Sequence, residues 1–270
     1  MTPTSRAIGK VACIVIEGAD AHRFAQTQFS GDVDTLAPGR WQWNAWLTAQ
    51  GRVRTLMHLA DPGDGRLLAV VRGGEAAATR DALARFVFRM RVTLAVEHFT
   101  AFAGDPVADG IADVDADDGA IVLGHGIRSL GLSPVTAPSD PVAQEEWRLQ
   151  DIMWGWPSLP AEGEPGFLPP ALGLEHLGAV SFDKGCYPGQ EIAARLHYRG
   201  GHKFRMYHVR GSSPLSPGPT RVGDDATTAW LLDVVTNRKG TQALIVASHE
   251  ALNEINILGN IYEIISMFEA

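Results

Sequence analysis

The first hundred residues contain an apolar run and two segments in which apolar and polar residues alternate with a period of two, and both patterns are typical of β-strands. "KVACIVIEG" at residues 10–18 is an apolar run that ends at a glycine, and it predicts a buried strand. "WQWNAWLTA" alternates with Trp41, Trp43 and Leu47 on one face. After the turn "AQGR", the segment "VRTLMHLAD" alternates again, so the two segments predict a β-hairpin.

Two segments of this first half have helical spacing instead. Asp20 can cap a helix over residues 21–30, and residues 75–90 repeat apolar positions through Leu83, Phe86 and Val87. The strand-like segments "RLLAVVR" and "RVTLAVEHF" stand before and after the second helix. The order strand, helix, three strands, helix, strand predicts a ferredoxin-like α+β unit with one extra strand.

The second half changes its pattern twice. Asp140 and Pro141 begin a predicted helix that carries "EEWRLQDIMWG", and the proline- and leucine-rich segment after it is expected to be irregular. "GQEIAARLHY" predicts a further helix, closed by two glycines. Short strands and turns follow, so we expect an α+β region of two subdomains over residues 1–203 and a small β-barrel domain over residues 204–270.

Composition and charge narrow the class of protein. The chain has 270 residues, of which 45% are hydrophobic and 20% charged, as in an ordinary globular protein. A net charge of −8 predicts no direct binding to nucleic acid or to an anionic membrane, although a local basic pocket stays possible. No apolar run approaches the length of a membrane span, and the first residues lack a signal-peptide core. We expect a soluble, monomeric, cytoplasmic protein.

No metal site is predicted from this chain alone. "DVDADDG", which begins at Asp113, imitates a calcium loop, but its glycine comes one place late and Gly124 stands where a carboxylate is needed. The only two cysteines, Cys13 and Cys186, are far apart and lack the spacing of zinc or iron–sulfur motifs. A cluster shared between molecules, with Cys186 as one ligand, remains possible.

The stretch "KGCYPGQE" is the best candidate for chemistry. If Pro188 occupies the first turn of the following helix, Cys186 lies just before the helix N-terminus, where the dipole stabilises a thiolate. Lys184 adds positive charge. The same residues also fit a turn with a buried thiol, and local composition leaves both readings open.

The sequence was also searched for a base that could activate this thiol and for residues that could form a binding cavity beside it. A Cys/His nucleophile needs a nearby base, and His197 lies about three turns along the predicted helix from Cys186, too far for contact. Cations and flat rings that could form a basic, aromatic cavity for a planar anion are Arg148, Lys184, Arg195, Arg199, Trp41, Trp43, Trp46, Trp147 and Trp154. Residues of these types also fill cores and solvate surfaces.

"KGCYPGQE" followed by "IAARLHYRG" resembles the signature of the YgfZ-type folate-binding family, relatives of the glycine cleavage aminomethyltransferase (T-protein). "IEGADAHRFAQTQFSGDV", "QGRV" and "EEWRLQDIMWGWP" are similar to further stretches of that family. The resemblance implies an aminomethyltransferase-like folate-binding fold around a central cavity, followed by a C-terminal β-barrel. It also implies a link to tRNA modification and to the assembly or repair of iron–sulfur clusters in other proteins.

The resemblance implies roles for particular residues. Cys186 and Lys184 would be the reactive residues, and tetrahydrofolate or a one-carbon derivative would be the cofactor. Folate and iron–sulfur client or assembly proteins would be the partners. The residues expected to contact the cofactor are Trp147, Arg148, Tyr187, Gln190, Glu191 and Arg195.

One departure from the T-protein pattern concerns the hairpin. T-proteins carry an acidic pair there, whereas this chain has Arg54 and Thr55. Without that carboxylate, proton handling at a folate nitrogen lacks its obvious agent, so we do not expect a classical enzyme. Two alternatives remain: a folate-dependent one-carbon (aminomethyl-type) transferase, and a binding module in which the motif only shapes the cavity.

Overall fold

A computed structural model describes residues 5–115, 119–160, 166–223, 227–248 and 254–268. The helices are α1 (Ala21–Gln28), α2 (Ala76–Ala84), α3 (Pro141–Trp154) and α4 (Gln190–Arg199), with 3-10 turns at Val33–Thr35 and Pro169–Leu172. The strands of the first part are β1 (Arg6–Glu17), β2 (Arg40–Leu47), β3 (Val53–Asp61), β4 (Arg66–Val71), β5 (Thr93–Gly104), β6 (Ala112–Val114), β7 (Ile121–Gly124) and β8 (Ser129–Ser133). Those of the last part are β9 (Arg205–Gly211), β10 (Gly218–Val222), β11 (Thr227–Asn237), β12 (Gly240–Ala247), β13 (Glu254–Ile257) and β14 (Asn260–Phe268).

Strands β1 to β8 form one sheet in the order β2-β3-β4-β1-β5-β8-β7-β6. Its first five strands and two helices follow the predicted order strand, helix, three strands, helix, strand. Strands β6 to β8 were not predicted from the sequence. The imitation calcium loop lies partly outside the described residues, because residues 116–118 are not among them.

Both faces of this sheet are buried. One face carries Trp41, Trp43 and Leu47, as the alternation predicted, and packs against α3 and the last part of the chain. The opposite face carries Trp46 and packs against the helices α1 and α2. Because both faces are covered, the sheet forms a central layer of the molecule.

Helix α2 is shorter than predicted. It ends at Ala84 rather than near residue 90, and the chain turns through hydrogen bonds from Phe86 N to Leu83 O (2.9 Å) and from Val87 N to Ala84 O (3.2 Å). The turn is required because β5 must pair with β1 from Thr93 onward. Phe86, expected on the apolar stripe of the helix, is instead exposed, and Phe88 beyond it is exposed as well.

Helix α3 begins as predicted. The Asp140 carboxylate accepts hydrogen bonds from the backbone N–H groups of Val142 (2.9 Å) and Ala143 (3.2 Å), with Pro141 at the first turn. The helix ends at Gly155, whose left-handed φ of 66° suits glycine. The close approach of the Phe268 ring to Gly155 also leaves no room for a side chain there.

Strands β9 to β14 close into a barrel in the order β10-β11-β12-β9-β14-β13. Tyr207, Leu231, Ile245 and Tyr262 belong to its interior cluster. Other side chains of the same strands join the core of the sheet instead, namely Met206, Trp230, Leu232, Leu244, Val246 and Phe268. The barrel therefore has a core of its own and also contributes to the apolar core of the sheet.

Among the helices of the described residues, none is long and apolar enough to cross a membrane.

Candidate functional site

The "KGCYPGQE" stretch is an irregular loop that leads into α4. Helix α4 begins at Gln190, and Gly189 precedes it with a left-handed φ of 79°. Pro188 therefore lies before the helix rather than in its first turn, and the predicted placement of Cys186 at the helix start is wrong. Cys186 is a free, exposed thiol.

Lys184 fastens the loop to the end of α1. Its buried Nζ donates hydrogen bonds to the carbonyl oxygens of Phe29 (2.8 Å) and Gly31 (2.6 Å). Burial lowers the pKa of Lys184 to about 8, against the opposing effect of Asp32 and Asp34. The ammonium thus has a positioning role in the motif.

Tyr187 and Gln190 also hold this loop in place. The Tyr187 hydroxyl donates to the Ser181 carbonyl (3.2 Å), and burial raises the pKa of Tyr187 to about 12. The Gln190 side chain donates to the Lys184 carbonyl (3.4 Å). Cys186 is therefore exposed between residues of the loop that are held by hydrogen bonds.

The loop contacts the turn of the β2–β3 hairpin. A Cβ on Gly189 would lie 2.8 Å from the Cα of Gly51 and would collide with the Thr48 carbonyl. A Cβ on Gly51 would lie 2.7 Å from the Cβ of Ile192 in α4. Glycine is needed at both positions because two backbones meet there.

A cavity of about 340 Å³ is lined in part by Arg52 of this hairpin turn. Arg52 lies at its edge and donates to the Gly166 carbonyl, while Val53 N donates to the Phe167 carbonyl (2.7 Å). The cavity is lined by Arg52, Gly166, Phe167, Leu168, Ala171, His202, Phe204, Thr228, Ala229, Trp230 and Val246. We call it the hairpin–barrel cavity.

The hairpin–barrel cavity is mainly apolar with few polar groups. Trp230 Nε1 and His202 Nε2 are buried and have no hydrogen-bond partner among the described residues. Burial lowers the pKa of His202, with Arg205 adding to the effect, so this imidazole is neutral near pH 7. None of the described lining residues is a carboxylate.

The hairpin positions that carry acids in T-proteins have other roles here. Arg54 is exposed, and its guanidinium lies 4.9 Å from the centre of the Trp46 ring. The Thr55 hydroxyl is buried against the hydroxyl of Thr79 at 2.9 Å. Neither side chain can act as a proton acceptor of carboxylate type.

The predicted basic cavity is not assembled. Arg148 Nε donates to the Asp233 carboxylate (3.1 Å) and its Nη2 donates to the Val234 carbonyl (2.8 Å), which ties α3 to β11. Arg195 lies on the exposed face of α4, beside Glu191 and Arg199 in a shallow surface depression. Lys184 is buried in the loop, so these three cations lie in different parts of the molecule.

Trp147 lies in a different part of the molecule, within a cluster of aromatic rings and arginines. The Arg128 guanidinium stacks 3.7 Å from the centre of the Trp147 ring and donates to the Trp147 carbonyl (3.0 Å). Arg128 and Arg72 both pair with the buried Asp151 carboxylate. Burial lowers the pKa of Arg128, although Asp151 opposes the shift.

Two histidines complete this aromatic cluster and were missed by sequence reasoning. The His58 and His125 ring centres are 5.2 Å apart, and the Trp41 ring centre lies 4.6 Å from His58 and 5.0 Å from His125. All four imidazole nitrogens are buried without a partner among the described residues. The position of His58 in an alternating strand that pairs with the tryptophan strand was the one signal in the sequence.

His197, which was considered as a base for the Cys186 thiol, is engaged by Glu175 and Phe182. Its Nδ1 is 2.7 Å from a Glu175 carboxylate oxygen, and its ring stacks on Phe182 at 4.2 Å. Across the described part of the chain, no group of three His, Cys, Asp or Glu residues could hold a metal ion.

Comparisons with known proteins first define the fold. The structure resembles the crystal structure of the glycine cleavage system aminomethyltransferase T from Bartonella henselae, with a TM-score of 0.74 and 12% sequence identity. The similarity covers 98% of this chain and 84% of that chain. This chain therefore has an aminomethyltransferase-like fold.

Comparisons of sequence give the narrower resemblance. A protein of Pectobacterium carotovorum named "tRNA-modifying protein YgfZ" is 28% identical over 94% of this chain and 82% of its own length. A protein of the same name from Yersinia enterocolitica is 25% identical over 85% of this chain and 76% of its own length. No family model matches the chain. The resemblance to YgfZ-type proteins, predicted from the signature, is confirmed.

Proposed function

We propose that the protein is a tetrahydrofolate-binding accessory factor for the assembly or repair of iron–sulfur clusters in client enzymes, including enzymes that modify tRNA. The observation that carries the proposal is the hairpin–barrel cavity. It has the size and the mostly apolar lining of a small-molecule site, and the signature loop packs on the hairpin that forms its edge.

The lining of the cavity fits a reduced folate. Phe167, Phe204 and Trp230 offer flat apolar surfaces for a pterin ring, and the unpaired ring nitrogens of Trp230 and His202 can hydrogen-bond a polar edge. Arg52 can meet a carboxylate of the glutamate tail. Tetrahydrofolate, when bound, supplies a carrier for a one-carbon unit.

The signature residues then divide between positioning and chemistry. Lys184, Tyr187 and Gln190 hold the loop, and Cys186 offers an exposed thiol whose deprotonated form can coordinate an iron of a client's cluster. Glu191 and Arg195 are exposed on α4, beside this thiol in sequence, and would contact the client protein. Arg148 keeps α3 against the barrel, and Trp147 packs with Arg128 and His125 in the aromatic cluster away from the cavity.

A folate-dependent transferase is the weaker proposal. Aminomethyl transfer of the T-protein type needs a carboxylate at the hairpin, and Arg54 and Thr55 occupy those positions. No turnover across one-carbon folates with amine or thiol acceptors is the expected outcome. Sustained turnover by the purified protein would favour the transferase.

The first test measures separately how the pterin ring and the glutamate tail contribute to binding. Calorimetric titration under reducing conditions should give binding of tetrahydrofolate, and Arg52→Ala should weaken it about tenfold by removing a charge-assisted hydrogen bond. Binding of a tetrahydropterin without the glutamate tail should not change in Arg52→Ala. Phe204→Ala should weaken both ligands.

The matched control is Trp147→Phe, which alters the aromatic cluster that contains Arg128 and should leave both affinities unchanged. The opposite pattern, with folate affinity lost in Trp147→Phe and kept in Arg52→Ala and Phe204→Ala, would move the pterin to that cluster and contradict the hairpin–barrel site.

The second test concerns the thiol. Cys186→Ala should bind tetrahydrofolate normally but fail to restore the activity of an iron–sulfur enzyme in cells that lack the protein. Cys13→Ala is the control, since Cys13 is fully buried in β1. Full restoration by Cys186→Ala would remove the cysteine from the mechanism.

A further inference from the structure

The early end of α2 exposes a basic and aromatic segment, "RFVFRMR", at residues 85–91. The exposed fractions of Phe86 and Phe88 are 48% and 73%, although aromatic rings of this size are usually buried. Arg85 and Arg89 beside them are exposed as well. We call Arg54, Arg85, Phe86, Phe88 and Arg89 the α2–β5 surface.

The charge of this surface is opposite to that of the whole chain. Residues 80–91 contain four arginines and one acidic residue, a net charge of +3, within a chain of net charge −8. Arg80 pairs with Asp81, and Arg91 with Asp20. In the described ranges of the chain, Arg85 and Arg89 have no carboxylate partner. Two cations are thus left to meet an anionic ligand.

Cations and rings are interleaved on this surface. The Arg89 guanidinium lies 5.0 Å from the centre of the Phe88 ring. The Phe86 ring meets the Trp46 ring edge to face at 6.1 Å, and the Arg54 guanidinium lies 4.9 Å from the centre of Trp46. Arg89 also adopts a left-handed φ of 55°, which non-glycine residues rarely do.

We propose that the α2–β5 surface binds single-stranded nucleic acid. Exposed aromatic rings provide stacking platforms for bases, and the arginines beside them can neutralise phosphates. An acidic peptide would use the arginines but not the flat face of Phe88, and a membrane would require a larger apolar area. The expectation of no nucleic-acid contact came from the net charge of the chain, which does not describe this local surface.

The test measures the binding of the full chain to labelled oligo(U) and oligo(dT), each 15 nucleotides long, by fluorescence anisotropy at a series of salt concentrations. We expect dissociation constants on the order of 10 to 100 µM at low salt. Phe88→Ala should weaken binding about tenfold at every salt concentration, because stacking is not ionic. Arg85→Ala and Arg89→Gly should each reduce the slope of log K against log salt by about 0.7, and glycine retains the left-handed backbone at residue 89.

Arg238→Ala is the matched control, since it removes an exposed arginine from the β11–β12 turn and should leave affinity and slope unchanged. All the substituted side chains are exposed, so the variants should melt at the wild-type temperature. No binding at low salt, or equal binding by Phe88→Ala and the wild type, would overturn the proposal. Displacement of the oligonucleotide by poly-glutamate or phosphatidylserine vesicles at equal charge would also overturn it, in favour of another anionic partner.

Discussion

At the scale of single residues, His58 and His125 combine burial with nearby positive charge. Burial lowers the pKa of both imidazoles well below their usual value, and Arg72 and Arg128 add to the effect. Both rings are therefore neutral in the folded protein at pH values where an unfolded histidine takes up a proton. Acid should act on the stability of the fold through this pair.

Stability should fall as the pH drops below about 6.5, the pKa of an unfolded histidine. There the unfolded state binds more protons than the native state, so the free energy of unfolding decreases by up to about 1.4 kcal/mol per pH unit for each histidine. In urea unfolding between pH 7.5 and 5.5, the free energy of unfolding of His58→Leu should decrease less steeply with falling pH than that of the wild type, because one of the two buried histidines is gone. His98→Gln, at an exposed histidine, should keep the wild-type slope, and an unchanged slope in His58→Leu would contradict the prediction.

At the scale of elements, the contact between the hairpin turn and the signature loop connects the cavity with the thiol. Gly51 and Gly189 let the two backbones meet, and Ile192 of α4 covers the turn. The signature was visible in the sequence, but its conformation was not. From the sequence alone, Pro188 fits the first turn of a helix. In the structure, the left-handed Gly189 and its contact with the hairpin make α4 begin only at Gln190.

Gly189→Ala should destabilise the protein by about 1 to 3 kcal/mol and weaken tetrahydrofolate binding. The added Cβ meets the hairpin backbone, and the left-handed φ disfavours alanine. Gly185→Ala in the same loop is the control, because a Cβ there has nothing within 4 Å. Urea unfolding and calorimetric titration measure the two effects, and equal behaviour of the two variants would refute this role for Gly189.

At the scale of the whole molecule, the barrel and the sheet depend on a common core. Met206 and Phe268 of the barrel belong to the same cluster as Trp43 of the sheet and Leu172 between them. The division at residues 203 and 204, predicted from the sequence, separates the two sets of strands, and this one apolar cluster crosses it while the barrel keeps a second cluster in its interior. Removing either part would expose apolar surface of the other.

We therefore expect a single cooperative unfolding transition for the intact chain. In differential scanning calorimetry, the calorimetric and van't Hoff enthalpies should agree, because side chains of both parts are buried together in one shared apolar cluster. Phe268→Ala should lower the temperature of the whole transition rather than split it. Two separate transitions in the wild-type protein would show that the parts fold independently.

The sequence by itself determined the elements that depend on neighbouring residues. The alternation of Trp41, Trp43 and Leu47 predicted a strand and its buried face, and Asp140 with Pro141 predicted the start of α3. A contiguous signature was enough to indicate YgfZ-type relatives. The early end of α2 was not predictable in this way, since pairing of Thr93 with β1 outweighs the helical spacing up to residue 90.

Only the tertiary structure decided which distant side chains meet. Lys184 donates a hydrogen bond to the Phe29 carbonyl after α1, and Arg72 and Arg128 form ion pairs with Asp151. A cavity forms between the hairpin and the barrel. These contacts join residues about 20 to 155 positions apart in the sequence. Local spacing carries no information about them, because burial and charge pairing depend on how the sheet, the helices and the barrel pack together.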